Sequence, residues 1–532
     1  MSQLSHRECL GRFSAAKSIQ VGGQSIEYFC VEFVPPAPQM FSLSHTRRTV
    51  SCLNSFSPSR QRTSVCAYST KLPASELPPP RLDYRSISEN VTSKSLNALN
   101  RKTRLPNDAV ASVARAHSES KRISSELNAK RNARSAIGER VKRSADNAER
   151  EAALSEASKV KAEVKELEAR LDTAEQECLR LALLLPNDTH PDSPLGPESS
   201  ALTISTHGPK PLPADPKRDH VAVSDRFGLL DLKSASTVTG TSWYFLRHEA
   251  ALLELALTNY AVSMAIQHGF TPVTTPDVVR YDIAVRCGFQ PRDDADPPVS
   301  HMYQISPTHT SSPELVLAGT AEIPLAGMFA NKVYSSLDLP LKYVGVGHAF
   351  RSEAGARSAD TRGLYRVHQF TKVELFTVTT AEFSEAMMED MLSLQKSILE
   401  RLHIPFKVLD MPTEELGASA FRKYDIEAWM PGRGAWGEVS SLSNCTDYQS
   451  RRLHVRYRPQ GGSAESVPSR LPFAHTLNGT AAAIPRLIVA LLENGAQFDE
   501  MGRIVSLRLP TALKPFWLDN KGRDNIVWHD YM

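Results

Sequence analysis

The sequence predicts an α+β protein preceded by a long antiparallel helical hairpin. Two observations lead there. Between residues 153 and 185, apolar or small side chains recur at alternating steps of four and three, the seam of a coiled coil. From Phe227 onward, short helix-like and strand-like patches alternate between many loop signals, the pattern of an α+β domain. No stretch reaches the ~18 consecutive apolar residues of a membrane span, so no membrane partner is expected. At 532 residues and 41% hydrophobic, the chain can bury the cores of two or three domains.

The seam runs through Ala153, Ala157, Val160, Val164, Leu167, Leu171, Ala174, Cys178, Leu181 and Leu185, and Pro186-Asn187 ends it. The stretch from about Asn107 to Arg143 is also helical in composition, with a weaker seam at Val110, Val113, Leu127, Ile137 and Val141. A turn near Ser144–Asn147 is too short for anything but an antiparallel pair. A helix of 35–40 residues reaches ~50–60 Å at ~1.5 Å per residue, so the hairpin is expected to project into solvent. Its first helix carries Arg115, Lys121, Arg122, Lys130, Arg131, Arg134, Arg140, Lys142 and Arg143 against Glu119, Glu126 and Glu139. Such a basic projection suits a phosphate backbone. A plain coiled coil with a solvated charged face is the alternative.

Residues 1–75 hold eight Lys/Arg against three Asp/Glu, and Phe33 to Ser75 contains no acid at all. The Ser- and Arg-rich run from Met40, with Arg47, Arg48, Arg60 and Arg62, has the composition of an organellar transit peptide. Residues 1–75 are therefore expected to direct the chain to the mitochondrial matrix, a cytoplasmic address being the alternative, and Met40 is a candidate start. The net charge of the whole is only +3, so any nucleic-acid contact must come from a local patch. Seven cysteines without a CxxC pair support neither a zinc knuckle nor a disulfide scaffold.

Residues 76–190 are assigned to the helical arm, 191–224 to a Pro/Gly/Ser-rich linker and 225–532 to the catalytic body. Within the body a helix fits Leu246 to His268, followed by a short strand up to Pro276. Three later segments hold the polar residues that chemistry needs. One runs from Phe350-Arg351-Ser352-Glu353 through a loop to Arg362–Glu374 and reads as a β-hairpin. The second is Trp436–Asn444, and the third Leu477–Arg486, which leads into an apolar helix. No Walker loop and no GxGxxG occurs, so nucleotide binding would fall to arginine forks.

In this order the segments resemble the three signature motifs of class II aminoacyl-tRNA synthetases. The element ending at Pro276 is similar to motif 1, Arg351–Glu374 to motif 2 and Asn478–Arg486 to motif 3. Within the class the sequence resembles the seryl-tRNA synthetases, through Thr320-Ala321-Glu322, FRSEAG with GLYRVHQFTKVE, GEVSSLSN, HTLNGT and the helical arm around Leu127–Ser135. The resemblance implies an antiparallel catalytic sheet flanked by helices, a homodimer, and an arm that grips the long variable arm of serine tRNA. It implies ATP, L-serine and Mg2+ as the small ligands. Residues 481–485 are poorer in glycine than that motif commonly is, and residues 517–532 have no evident counterpart.

By the same resemblance, Arg351 bridges the serine carboxylate and the α-phosphate of ATP, and Arg486 holds the terminal phosphates. Ser352 and Glu353, Val367, Phe370, and Glu438 with Val439, Ser440 and Ser441 complete the ATP site. Glu438 and Ser441 are the expected Mg2+ ligands. Thr320, Ala321, Glu322, Arg351, Glu374 and Thr480 are expected to meet the serine. Each residue also has an ordinary structural reading: salt-bridge arginines, solvated carboxylates, Thr480 as a helix cap, Thr320 on a strand surface, Phe370 in the core. A non-catalytic RNA-binding relative of the same fold is the alternative function.

Overall fold

The computed structural model describes residues 17–21, 24–28, 77–106, 108–289, 302–306, 309, 313–353, 362–460, 471–518 and 523–530. Contacts divide the chain into two units, residues 1–72 and 73–532. Of the first, the described part is an antiparallel strand pair, Lys17–Val21 with Gln24–Tyr28. The rest of the expected transit segment lies outside the described residues.

The second unit opens with two short helices, Tyr84–Glu89 and Val91–Asn100, and then the hairpin: α1 (Ala109–Arg143) and α2 (Asn147–Leu183). The turn falls where the composition placed it. Asp146 caps α2 by accepting the N–H groups of Ala148 and Glu149, which satisfies donors that the first turn leaves free. Ile123, Leu127, Val164 and Leu167 form one buried cluster along the seam. Val110, Val113, Cys178, Leu181 and Leu185 form another, closed by Ile87. Ile123 belongs to the seam although its helix reads weakly in sequence. The basic residues are partly engaged: Lys130 pairs with Glu163 at 2.7 Å, Arg131 with Glu168 at 2.8 Å, and Arg140 with Glu156. These pairs are half exposed and each is worth no more than ~1 kcal/mol. They set the register of the two helices more than their stability.

Among the described residues of this unit, eight strands form the main sheet. In chain order they are β1 (Leu202–His207), β2 (Thr271–Thr274), β3 (Leu341–Phe350), β4 (Gln369–Thr379), β5 (Phe406–Asp410), β6 (Arg422–Met430), β7 (Ala435–Asn444) and β8 (His475–Ala483). The spatial order is β1-β5-β6-β7-β8-β4-β3-β2. Every neighbouring pair is antiparallel except β2 with β3. The expected antiparallel sheet is therefore present, with one parallel edge.

Alternation along β4 divides the molecule. Val373 and Leu375 enter the core beneath α3 (Glu249–Gln267), α4 (Ser384–Arg401) and α5 (Ile484–Gly495). Phe376 and Val378 enter a second core on the other face, with the short helix Glu322–Met328. Phe370, Lys372 and Glu374 share parity with that second face. The long helices therefore cover one side of the sheet, and the polar residues of β4 gather on the other.

Two expectations need correction. Residues 191–224 are not merely a linker: β1 lies within them and pairs with β5 as the sheet's edge strand, and the helix His220–Phe227 follows. Proline and glycine density hid a short strand that its partner stabilises. The return strand after Arg351 starts at Gln369, not at Arg362; the intervening described residues are turns. Residues 523–529, for which the resemblance offers no counterpart, pack against this unit. Ile526–His529 pair in parallel with the strand Ile504–Pro510, Trp528 packs edge-on against Trp517, and Arg523 binds buried Glu249 at 2.7 Å.

Candidate active site

A cleft opens on the sheet, lined by Arg351, Glu353, Leu364, Tyr365, Arg366, Val367, Phe370, Lys372, Glu438, Val439, Ser440, Ser441, Thr480, Ala483, Pro485 and Arg486. Both candidate arginines thus face one space, although 135 residues separate them in sequence. Arg351 follows the last residue of β3. Its Nε donates to the Gly319 carbonyl at 3.3 Å, and its guanidinium lies 5.4 Å from the centre of the Phe370 ring. Arg486 sits in the first turn of α5. Pro485 is the second residue of that turn, where its missing N–H costs no helical bond. The glycine-poor stretch is therefore accommodated: Ala481 to Ala483 finish β8, with a register shift opposite Val373/Glu374.

Glu438 ties the site together. Arg486 Nη1 lies 3.3 Å from its carboxylate and donates to its carbonyl at 3.0 Å. Burial pushes the Glu438 pKa up, but the charges of Arg486, Lys423, Arg351 and Lys372 outweigh it and bring it to about 2. The side chain remains 42% exposed toward the cleft. It is therefore a persistent anion with room for a ligand. Arg351 has its pKa lowered by burial and by the charge of the neighbouring Arg486. Glu353 has φ +46°, an uncommon region for a residue with a Cβ, and pairs with Arg366 at 3.4 Å.

Thr320, Ala321, Glu322 and Glu374 do not line this cleft; the three polar residues lie next to it, buried. Lys372 joins them to the cleft. Its Nζ lies 2.6 Å from the Glu374 carboxylate and donates to Thr320 Oγ1 at 3.2 Å. Thr320 in turn donates to Glu374 at 3.2 Å. Glu322 Oε1 accepts from Gln449 at 2.6 Å and from Asn478 at 3.0 Å. Glu322 and Glu374 are 7% and 1% exposed, so neither is a solvated strand carboxylate. Burial, then the neighbouring Glu374 charge, raises the Glu322 pKa to about 7. Burial also raises that of Glu374. Ala321 packs in the apolar core on this face.

Other assignments resolve individually. Thr480 is no helix cap, since Ala483 holds that position; its hydroxyl meets Ser441 Oγ at 3.4 Å. The Ser440 hydroxyl donates to the Thr480 carbonyl at 2.5 Å and accepts from Gln395 at 2.9 Å, which braces β7 against β8. Ser352 is half-buried and outside the cleft lining. His368 meets the hydroxyl of Tyr303 and the carbonyl of Arg351, both at 2.9 Å, and His348 pairs with Asp277 at 2.8 Å. Neither histidine lines the cleft. Sequence reasoning missed Lys372, two residues before Glu374 on one strand face, and Tyr365, whose ring lies 4.8 Å from the Arg486 guanidinium.

An antiparallel sheet with one arginine at a strand end and another at a helix start, both facing one cleft, defines a class II aminoacyl-tRNA synthetase. Residues 303–495 match the tRNA synthetase class II core domain (G, H, P, S and T), and residues 82–189 the seryl-tRNA synthetase N-terminal domain. The chain is 39% identical over 440 residues to a serine–tRNA ligase of Rhodopirellula baltica, covering 82% of this chain and 98% of that one. It is 38% identical over 436 residues to a mitochondrial serine–tRNA ligase of Schizosaccharomyces pombe, covering 82% and 88%. Its fold matches a crystal structure of seryl-tRNA synthetase from Pyrococcus horikoshii complexed with ATP, with TM-score 0.71, 32% identity and coverage of 82% and 98%. The chain belongs to the seryl-tRNA synthetase family.

Proposed function

We propose that this chain activates L-serine with ATP and transfers the seryl group to the 3′ end of serine tRNA. The observation that carries the reading is the convergence of Arg351, Arg486 and Glu438 on one cleft beside the buried Thr320–Glu322–Glu374 cluster. The serine carboxylate attacks the α-phosphorus of ATP and diphosphate leaves. A terminal tRNA hydroxyl then attacks the carbonyl of the seryl-adenylate, and AMP leaves. No enzyme nucleophile is required, so positioning and charge neutralisation supply the catalysis.

Arg351 is the group suited to hold the serine carboxylate against the α-phosphate, and Arg486 to hold the terminal phosphates. Planar guanidiniums bind such oxygens in bidentate fashion and stay charged. Phe370 and Val367 supply an apolar wall, and Glu353 an acceptor, for the adenine. Glu438 and Ser441 offer the oxygen ligands that Mg2+ prefers, and the depressed Glu438 pKa suits a cation. Mg2+ bound there would neutralise phosphate charge. Glu322 and Glu374 suit the serine ammonium, and Thr320 and Thr480 its hydroxyl. Groups that need a hydroxyl partner disfavour alanine, which would leave them unpaired.

We further propose that the hairpin binds the long variable arm of serine tRNA, that two copies form a homodimer, and that the protein works in the mitochondrial matrix. The acid-free segment 33–75 and the likeness to a mitochondrial relative support that address. Tagged chains beginning at Met1 and at Met40, followed in cells, test it. Serine-dependent exchange of pyrophosphate into ATP tests the enzymatic reading. A folded protein inactive with serine, alanine, threonine and glycine alike would favour the RNA-binding relative instead.

A further inference from the structure

Next to cleft-lining Leu364 lies a cluster of half-buried Asp219 with buried His220 and Glu493. It has the composition of a metal site, but its atoms are already occupied. The Nε2 atom of His220 accepts the N–H of Leu364 at 3.2 Å. The ring proton therefore sits on Nδ1, which donates to Glu493 Oε1 at 3.1 Å. The same oxygen takes the His220 backbone N–H at 3.3 Å. Glu493 Oε2 takes the N–H groups of Gly432 at 2.8 Å and Arg433 at 3.0 Å. Asp219 caps its own helix through Val221 and Ala222 and meets Arg362 at 3.4 Å. No lone pair of the imidazole remains for a cation.

These bonds lead toward the cleft. Leu364 precedes Tyr365, whose carbonyl accepts Arg486 Nε at 3.2 Å. The Tyr365 ring lies 3.9 Å from the Arg433 guanidinium and 4.8 Å from that of Arg486. Glu493 is seven residues, two helical turns, beyond Arg486 on α5. One fully buried carboxylate thus ties the helix bearing Arg486 to both segments that brace it. Gly363, at φ +76°, is required for the closeness: a Cβ there would fall 2.1 Å from His220 Nε2.

We propose that His220 and Glu493 are positioning residues that fix Tyr365, and through it Arg486, for the terminal phosphates of ATP. The inference rests on the ATP reading of the cleft. The His220 tautomer is essential to it, because only an unprotonated Nε2 accepts the Leu364 N–H. Glu493→Gln breaks the arrangement at nearly constant volume. Whichever way its amide turns, its NH2 group meets N–H donors.

The test is steady-state pyrophosphate exchange on the full chain, with KM for ATP and for serine measured separately. Serine-dependent exchange by the unaltered protein checks the underlying reading; its absence sinks that reading and this proposal together. Given exchange, His220→Ala and Glu493→Gln should raise KM for ATP at least about tenfold and leave KM for serine within about twofold. His220→Gln, whose carboxamide oxygen can accept the Leu364 N–H, should recover most of the loss. An unchanged KM for ATP, an equal rise in both constants, or no recovery with glutamine would overturn the proposal alone. If His220→Ala does not fold, the two near-isosteric variants carry the same comparison.

Discussion

Lys372 places its ammonium 2.6 Å from the Glu374 carboxylate, with side-chain exposures of 10% and 1%. The same ammonium reaches Thr320, so one cation fixes the geometry of the cluster proposed to receive serine. Removing it leaves a buried carboxylate without its counter-charge, which typically costs ~3–5 kcal/mol. Lys372→Met should therefore lower stability in denaturant melts by about that much and raise KM for serine more than KM for ATP. A variant as stable as the parent would show that Glu374 takes up a proton without cost.

Arg351 contributes through its guanidinium and does little for the fold, since its one described side-chain hydrogen bond goes to the Gly319 carbonyl. Arg351→Ala is expected to lower serine-dependent exchange by about 10²–10³-fold with a melting temperature close to the parent's. tRNA binding, measured by filter retention, should be unchanged. Full activity would remove Arg351 from the mechanism.

The raised Glu322 pKa, about 7, gives a pH dependence whose sign can be worked out. Above its unfolded value, the folded protein still holds a proton that the unfolded chain has released. Stability without substrate should thus decline as pH rises from ~4.5 toward 7. Affinity for the serine ammonium should move the other way, with KM for serine falling as pH rises through about 7. Glu438, held near 2, stays ionised across that range, so KM for ATP should show no matching step. A flat serine profile would contradict the role given to Glu322.

In the hairpin, Lys121, Arg134 and Arg143 make no ion pair with a described residue, whereas Lys130, Arg131 and Arg140 are held by α2. The free cations are the better phosphate ligands. Arg134→Ala should weaken tRNA binding and reduce the slope of log K against log salt by about 1. The same change at Lys130, already paired, should alter the slope less. Equal slopes for Arg134→Ala and the parent would exclude Arg134 from the interface.

The sequence carried the hairpin because a heptad seam is a long, redundant signal; Val164 and Leu167 are buried as their spacing demands. It carried Arg351, Glu438 and Arg486 because they sit in recognisable motifs. It did not carry Lys372, although the β4 alternation places it beside Glu374, because a lysine on a strand ordinarily reads as exposed. The edge strand Leu202–His207 was invisible for another reason. Its outer residues Leu202 and Ile204 are exposed, and its partner Phe406–Asp410 lies about two hundred residues away. Nor does any local pattern reveal that His220 and Glu493 meet.

The docking of residues 523–529 has a consequence for α3, the helix of the motif 1 element. Glu249 stands in its first turn, nearly inaccessible, and its described partners are Arg523 and Asn525. Helix entry and the segment 523–529 are therefore electrostatically interlocked. Shortening the polypeptide before Arg523 would strand an interior carboxylate at the start of that helix, so even a modest truncation would be felt along the helix that leads into the strand Thr271–Thr274.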